Sequence, residues 1–88
     1  MKIEFRKSFE KDIKKIKDVK LLRKTQLIIE EIEKLDNLQQ INNIKPLKGE
    51  TNYYRIRIGN YRMGIYADEN VVRFVRFLHR QEIYQNFP

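Results

Sequence analysis

The first half of the chain has apolar residues at the spacing that is typical of helices. Residues 1–5 alternate polar and apolar side chains, which predicts a short strand before the helices. Ser8 fits the N-cap of a first helix, and Asp18 fits the N-cap of a longer helix over residues 19–35. The Asn-rich segment 36–46 is predicted to be a connection. The apolar residues that recur at helical spacing are Phe9, Ile13, Ile16, Leu21, Ile28, Ile32 and Leu35.

In the second half the apolar residues recur with a period of two, which predicts strands. Residues 53–58 and 61–66 alternate on either side of the Gly-Asn pair at 59–60, a signal for a two-residue hairpin loop. A second turn at residues 68–70 precedes a largely apolar third strand at 71–78. The order β-α-α-β-β-β with a short C-terminal helix predicts an α+β fold. In it the N-terminal strand and two-helix hairpin pack on one face of an antiparallel sheet.

The two-residue loop determines which side chains of the hairpin share a face. Counting outward from the loop places Arg57 opposite Arg62 and Arg55 opposite Gly64. Arg73 joins the same face if the second turn also has an even-numbered loop. The other face is predicted to be buried under the helices, and its residues are Tyr54, Ile56, Ile58, Tyr61, Met63 and Ile65, with Val72 and Phe74 from the third strand.

Three arginines on one sheet face allow two interpretations. Like charges directly across a strand pair destabilise it by a few tenths to about 1 kcal/mol, and the hairpin contains no acidic residue to offset them. An ordinary solvated face is the first interpretation. The second is a phosphate-binding face, because a planar guanidinium group binds phosphate through two parallel hydrogen bonds. We favour the second, since Gly64 beside Arg55 would leave room for the backbone of a ligand.

Charge and composition narrow the class of partner. Nineteen Lys and Arg against twelve Asp and Glu give a formal net charge of +7, which predicts a polyanionic partner: nucleic acid, an acidic protein or an anionic membrane surface. Residues 49–88 contain arginine and no lysine, whereas most basic residues of 1–48 are lysines. We therefore expect the second half to carry the site. With 88 residues, the chain is expected to form a single domain, 1–88.

Several classes of protein are excluded by what the sequence lacks. There is no cysteine, and His79 is the one histidine, so thiolate metal sites and paired-histidine chemistry are ruled out. We expect no metal and no cofactor. No apolar run reaches the length of a membrane span, and the first twenty residues are too charged for a signal peptide. A cytoplasmic location without membrane association is expected.

The residues that follow the third strand add chemistry to the arginine face. Tyr84 is explained in ordinary terms as the anchor of a short helix, and His79 as a polar loop residue. Close to a phosphate site, His79, Arg80 and Tyr84 would instead supply an imidazole, a further guanidinium group and a phenol.

Four short motifs in this order resemble the RelE/ParE superfamily of bacterial toxin–antitoxin toxins. The motifs are Leu47-Lys48-Gly49, Tyr54-Arg55-Ile56-Arg57, Gly59-Asn60-Tyr61-Arg62 and His79-Arg80 followed by Ile83-Tyr84. RelE-like members of that superfamily are ribosome-dependent endoribonucleases that cut mRNA in the A site. ParE-like members instead inhibit DNA gyrase without catalysis. The resemblance favours the RelE-like branch and keeps the ParE-like one as the alternative.

The resemblance also implies partners and residue roles. The partners would be an antitoxin with an acidic toxin-binding segment, the ribosome and mRNA, with operator DNA reached only through the antitoxin complex. Arg62, Arg80 and Tyr84 would be catalytic in a metal-free attack of a 2′-OH on the adjacent phosphorus, and His79 is the alternative group for proton transfer. The residues expected to bind phosphate are Arg55, Arg57, Arg73 and Lys48. The sequence departs from the best-known RelE pattern, which has lysines at the positions of Arg55 and Arg57.

Overall fold

The chain folds into a five-stranded sheet with helices on both faces, and the computed structural model describes all of residues 1–88. In chain order the elements are β1 (Lys2–Phe5), α1 (Lys7–Lys14), α2 (Val19–Lys34), a short 3₁₀ turn (Leu38–Gln40), β2 (Ile44–Pro46), β3 (Tyr53–Ile58), β4 (Tyr61–Ala67), β5 (Val71–His79) and α3 (Arg80–Asn86). The spatial order of the strands is β1-β5-β4-β3-β2. The predicted α+β fold is confirmed. None of the helices combines the length and apolar character needed to cross a membrane.

The sheet differs from the prediction at its two edges. β1 is an edge strand of the sheet, so the prediction that it packs on a face of the sheet is wrong. It runs parallel to β5, so the prediction of an antiparallel sheet is wrong at this edge and correct for β2 to β5. Parallel neighbours need a long crossover connection, and here α1, α2 and β2 to β4 all lie between the two strands. At the other edge, the segment predicted as a connection contains β2. Pro46 ends this strand, which an edge position permits because proline donates no backbone hydrogen bond.

The buried core lies between the sheet and the two N-terminal helices, α1 and α2. The face predicted to be buried carries four side chains of the β3–β4 hairpin that are at most 1% exposed, and Val72 and Phe74 are completely buried. Tyr54 and Tyr61 are partly buried and pack against this core. The helices and the following loop contribute Phe9, Ile32 and Ile41. The core thus confirms the predicted division of the sheet into an apolar face and a basic face.

One helix N-cap is as predicted and the other is not. The Asp18 carboxylate accepts a hydrogen bond from the backbone N–H of Leu21 (3.2 Å), which satisfies one of the free N–H groups at the start of α2. Ser8 is not an N-cap, because α1 begins at Lys7 and its N-cap is Arg6. The prediction for Ser8 is therefore wrong.

The side chains of Ser8 and Asp12 instead form hydrogen bonds with the backbone of β5 in the part of that strand that does not pair with β1. β1 pairs only with residues 71–74 of β5. Beyond that point the Ser8 hydroxyl donates to the carbonyl of Val75, and the Asp12 carboxylate accepts from the backbone N–H of Phe77 (2.9 Å). These two side chains of α1 lie four residues apart, on one face of the helix. They complete hydrogen bonds that a longer β1 would have made.

A β-bulge in β5 determines which of its side chains face the basic side. The register with β4 shifts so that Ile65 opposes Phe74 while Gly64 opposes Arg76. Val75 is the extra residue, and it allows Phe74 and Phe77 to point into the core although they are three residues apart. Strict alternation would have placed Arg76 in the core.

Candidate functional site

The arginine face is built by the β3–β4 hairpin in the register that its loop predicts. Ile58 opposes Tyr61, Arg57 opposes Arg62, and Arg55 opposes Gly64. Gly59 has φ +59°, a left-handed conformation that glycine adopts without strain and that such a tight loop needs. The hairpin therefore places three guanidinium groups on the face of the sheet opposite α1 and α2.

These arginines line a cavity of about 290 Å³. β2 contributes a fourth cation, because Lys45 pairs with Arg55 across the strands. Tyr84 of α3 contributes the phenol. The complete lining is Asn43, Lys45, Arg55, Arg57, Arg62 and Tyr84, which includes no carboxylate. A cavity with four cations and no anion is chemically suited to bind an anionic ligand such as a phosphodiester.

Arg62 is held in place by its own turn. Its Nη1 atom donates to the carbonyls of Gly59 (3.0 Å) and Tyr61 (2.9 Å), so the guanidinium group is folded back against the hairpin loop. Partial burial lowers the pKa of Arg62, and repulsion from Arg57 and other guanidinium groups of the site adds to this effect. Interaction with Tyr84 raises the pKa of Arg62 and partly offsets the effects of burial and of repulsion from the other arginines. An anionic ligand in the cavity would reduce the repulsion among these guanidinium groups.

α3 brings Arg80 and Tyr84 to the arginine face. The backbone N–H of Arg80 donates to the carbonyl of Asn60 (2.9 Å), which ties the start of the helix to the hairpin loop. Arg80 is exposed and close enough to contribute to the lowered pKa of Arg62, although it does not line the cavity. The Tyr84 ring covers Arg55, with the arginine Cζ atom 4.6 Å from the ring centroid. This is the geometry of a cation–π contact.

The space beside Gly64, which was predicted to admit a ligand, is occupied by the side chain of Phe87. A Cβ at position 64 would lie 2.7–2.8 Å from three ring carbons of Phe87, so only glycine accommodates this ring. Phe87 also makes an edge-to-face contact with Tyr53, at 5.6 Å between centroids. The interpretation of Gly64 as an opening for a ligand is therefore wrong. The ligand space lies on the other side of Arg55, towards Lys45.

Two other arginines are on the basic face or its edge but are neutralised by carboxylates. Arg73 donates from Nε to Glu4 (2.7 Å) and lies over the ring of Tyr66, as the even-numbered second loop predicts for its face. Arg76 donates to both oxygens of Asp12, at 2.8 and 3.1 Å. The structure does not bring Arg73 to the cavity. Its ion pair gives it a role in joining β1 to β5.

The Glu4–Arg73 pair predicts a specific pH dependence of stability. The hydrogen bond from Arg73 lowers the pKa of the Glu4 carboxyl, so the folded protein holds the carboxylate form more tightly than the unfolded chain does. This contribution is present above the unfolded pKa of about 4.3 and is lost as the pH falls through the lower folded value. Thermal melting of the Glu4→Gln variant should approach that of the parent protein at acid pH and differ from it at pH 7. An equal difference at both pH values would contradict the assignment.

His79 and Lys48 also lie outside the cavity. The His79 imidazole packs edge-on against Tyr61, at 5.7 Å between ring centroids, and its Nδ1 atom accepts from the backbone N–H of Gln81 (3.2 Å). Because Tyr61 belongs to the core face and pairs with His79, the His79 side chain is directed towards the side of the sheet that α1 and α2 cover. Lys48 is an exposed residue of the turn after β2. Of the candidates named from the sequence, the structure groups Arg55, Arg57, Arg62 and Tyr84, with Arg80 beside them.

Two lining residues, Lys45 and Asn43, were not predicted from the sequence. Both lie in the segment that was predicted to be a connection. The alternation Ile44-Lys45-Pro46 was a signal for a strand, with Lys45 on the face opposite Ile44. Asn43 has φ +60°, and its carbonyl accepts a hydrogen bond from the backbone N–H of Arg57 (3.1 Å). It therefore starts β2 alongside β3.

Comparison with known proteins agrees with this architecture. Residues 3–84 match the family described as the ParE toxin of the type II toxin–antitoxin system, parDE. The chain is 44% identical to Toxin RelE3 of Methanocaldococcus jannaschii, with 100% of both chains covered.

Solved structures show the same fold. The RelB–RelE antitoxin–toxin complex from Methanococcus jannaschii matches with a TM-score of 0.82 and 42% identity, over 97% of this chain and 99% of that one. The YoeB dimer from Staphylococcus aureus matches with a TM-score of 0.73 and 23% identity, over 91% and 97% of the two chains, a likeness of fold alone. Sequence and fold together place the chain in the ParE toxin family of type II toxin–antitoxin systems, with RelE-like proteins among its relatives.

Proposed function

We propose that this toxin is an endoribonuclease that cleaves mRNA on the ribosome without a metal ion. The observation that carries the proposal is the cavity formed by Lys45 and three arginines, with Tyr84 at its rim and no carboxylate in its lining. A site for a divalent cation would need carboxylate or imidazole ligands. The lining instead offers fixed positive charge and one phenol.

The proposed reaction is an attack of the 2′-OH on the adjacent phosphorus. The P–O5′ bond breaks and leaves a 2′,3′-cyclic phosphate on one fragment and a 5′-OH on the other. Arg62 and Arg80 stabilise the negative charge that develops on the phosphoryl oxygens, and Arg55 and Arg57 orient the phosphodiester. Preorganised cations suit this role because they need no rearrangement when the charge appears.

Proton transfer is assigned to Tyr84. Guanidinium groups remain protonated in proteins, so the arginines cannot accept or release the proton. His79 is directed away from the cavity, whereas Tyr84 is 68% exposed and its ring covers Arg55. A Tyr84 phenolate would accept the proton of the 2′-OH, and the resulting phenol would return it to the departing O5′.

The partner that controls this toxin is an antitoxin. Relatives have been solved as RelB–RelE complexes, and the net charge of +7 favours an acidic toxin-binding segment. We propose that the ribosome presents the mRNA and supplies the substrate geometry, because the cavity lining contains no histidine or carboxylate that could form a classical acid–base pair. Contact with operator DNA is proposed only through the antitoxin complex.

The proposal is tested by adding the toxin, purified free of antitoxin, to a translation mixture programmed with a defined mRNA. We expect new mRNA ends within the codon in the ribosomal A site, with 2′,3′-cyclic phosphate and 5′-OH termini. The same RNA without ribosomes should remain intact. Unbroken mRNA in the presence of folded toxin would contradict the proposal.

A second candidate is inhibition of DNA gyrase, which the match to the ParE family model favours. In that case the cavity would be dispensable. Inhibition of DNA supercoiling by the toxin and equally by its Arg62→Ala variant would support this candidate. Normal supercoiling at a large molar excess of toxin would exclude it.

A further inference from the structure

Phe87, just beyond the end of α3, holds that helix against the sheet. α3 spans only seven residues, too short to be stable without tertiary contacts. Two side chains fix it: Ile83 is fully buried and Phe87 is 7% exposed. The Phe87 ring occupies the space above Gly64, where any Cβ would clash with it.

Tyr84 has no comparable anchor of its own. Its side chain is 68% exposed, and its contact with the arginine face is the ring placed over Arg55. The position of the phenol therefore depends on where α3 is held. Because Phe87 follows Tyr84 by three residues, loss of the Phe87 contact would release the end of the helix that carries the phenol.

We propose that Phe87 is a positioning residue that acts through Tyr84, with Gly64 as its receptor on the sheet. In this arrangement the ring above Gly64 sets the distance between the Tyr84 phenol and the arginine cavity. The consequence for catalysis rests on the proposed function, whereas the consequence for the placement of Tyr84 does not.

The placement is tested by NMR without any RNA. With the Arg55 Cζ atom 4.6 Å from the Tyr84 ring centroid, we expect the ring to shield the side-chain protons of Arg55. The Tyr84→Ala variant defines their unshielded shifts. We expect Phe87→Ala to move the Arg55 signals most of the way to those values. Gly64→Ala should do the same, because it removes the receptor and leaves the Phe87 side chain unchanged. Parent-like Arg55 shifts in both variants, with folding verified by the core methyl signals, would overturn the proposal.

The catalytic consequence is tested by combining substitutions. Phe87→Ala should lower the rate of mRNA cleavage at saturating ribosomes, by up to about 100-fold for a displaced catalytic group, while the half-saturating ribosome concentration stays the same. In a Tyr84→Ala background it should cause no further loss. Phe87→Leu keeps an apolar side chain at this position and serves as the control for loss of activity through unfolding. It should retain intermediate activity. An equal loss in both backgrounds would show a general structural effect and overturn the proposal. Should the parent toxin not cleave mRNA, the proposed function fails, and the NMR result still decides the role of Phe87.

Discussion

Replacing Arg62 by alanine is expected to lower the rate of mRNA cleavage by on the order of 10²–10³. Arg62 is the cavity cation that is partly buried and fixed by two carbonyls of its own loop, so its charge is in place before the substrate arrives. Such a group stabilises the transition state most, because the surrounding protein need not reorganise. The measurement is the single-turnover rate on programmed ribosomes.

Arg73→Ala is the matched control for this prediction. Arg73 is also an arginine of the basic sheet face, but it is paired with Glu4 and does not line the cavity. We expect this variant to cleave at nearly the parental rate. Similar losses in both variants would mean that general positive charge, and not the cavity, carries the activity. Unchanged cleavage by Arg62→Ala would contradict the assigned site.

The Asp12→Ala substitution is expected to lower the free energy of unfolding by about 3 kcal/mol, near the lower end of the range for breaking a buried ion pair. Asp12 is 4% exposed and accepts hydrogen bonds from the Arg76 guanidinium and the backbone N–H of Phe77. Removing the carboxylate leaves both donors without this acceptor, and the Phe77 N–H is buried. For a domain of this size we expect Tm to fall by roughly 12–24 °C.

Glu4→Ala provides the comparison for the Asp12 result. It breaks an ion pair of the same kind on the same strand, but its carboxylate side chain is 41% exposed. Exposed ion pairs contribute little to stability because solvent screens them, so urea unfolding of Glu4→Ala should show a much smaller effect. Comparable losses from the two substitutions would imply that burial does not set the strength of the Asp12 contact.

Local patterns were sufficient to predict the hairpin and the arginine face. The two-residue loop at Gly59-Asn60 sets the register, and the period of two then assigns each side chain to a face. Both depend on residues within a few positions of one another, so the chain needs no distant contact to specify them. The same reasoning predicted the extent of α2 and its cap at Asp18.

Contacts between distant residues produced each difference from the prediction. Ser8 does not cap a helix, because its hydroxyl donates instead to a backbone carbonyl of β5, 67 positions away in the sequence. The space above Gly64 is occupied by the ring of Phe87, which follows α3 in the sequence. Lys45 reaches the cavity only because β3 offers an edge on which the short β2 can pair.

By itself, the sequence determined the type of each main element, the two faces of the hairpin and the concentration of arginine on one of them. These properties follow from side-chain periodicity and loop length, which act over short distances. The tertiary structure decided which of the basic residues remain unpaired. Carboxylates from β1 and α1 neutralise Arg73 and Arg76, whereas nothing acidic reaches Arg55, Arg57 or Arg62. It also decided where Tyr84 stands, since a seven-residue helix takes its position from the surface on which it packs.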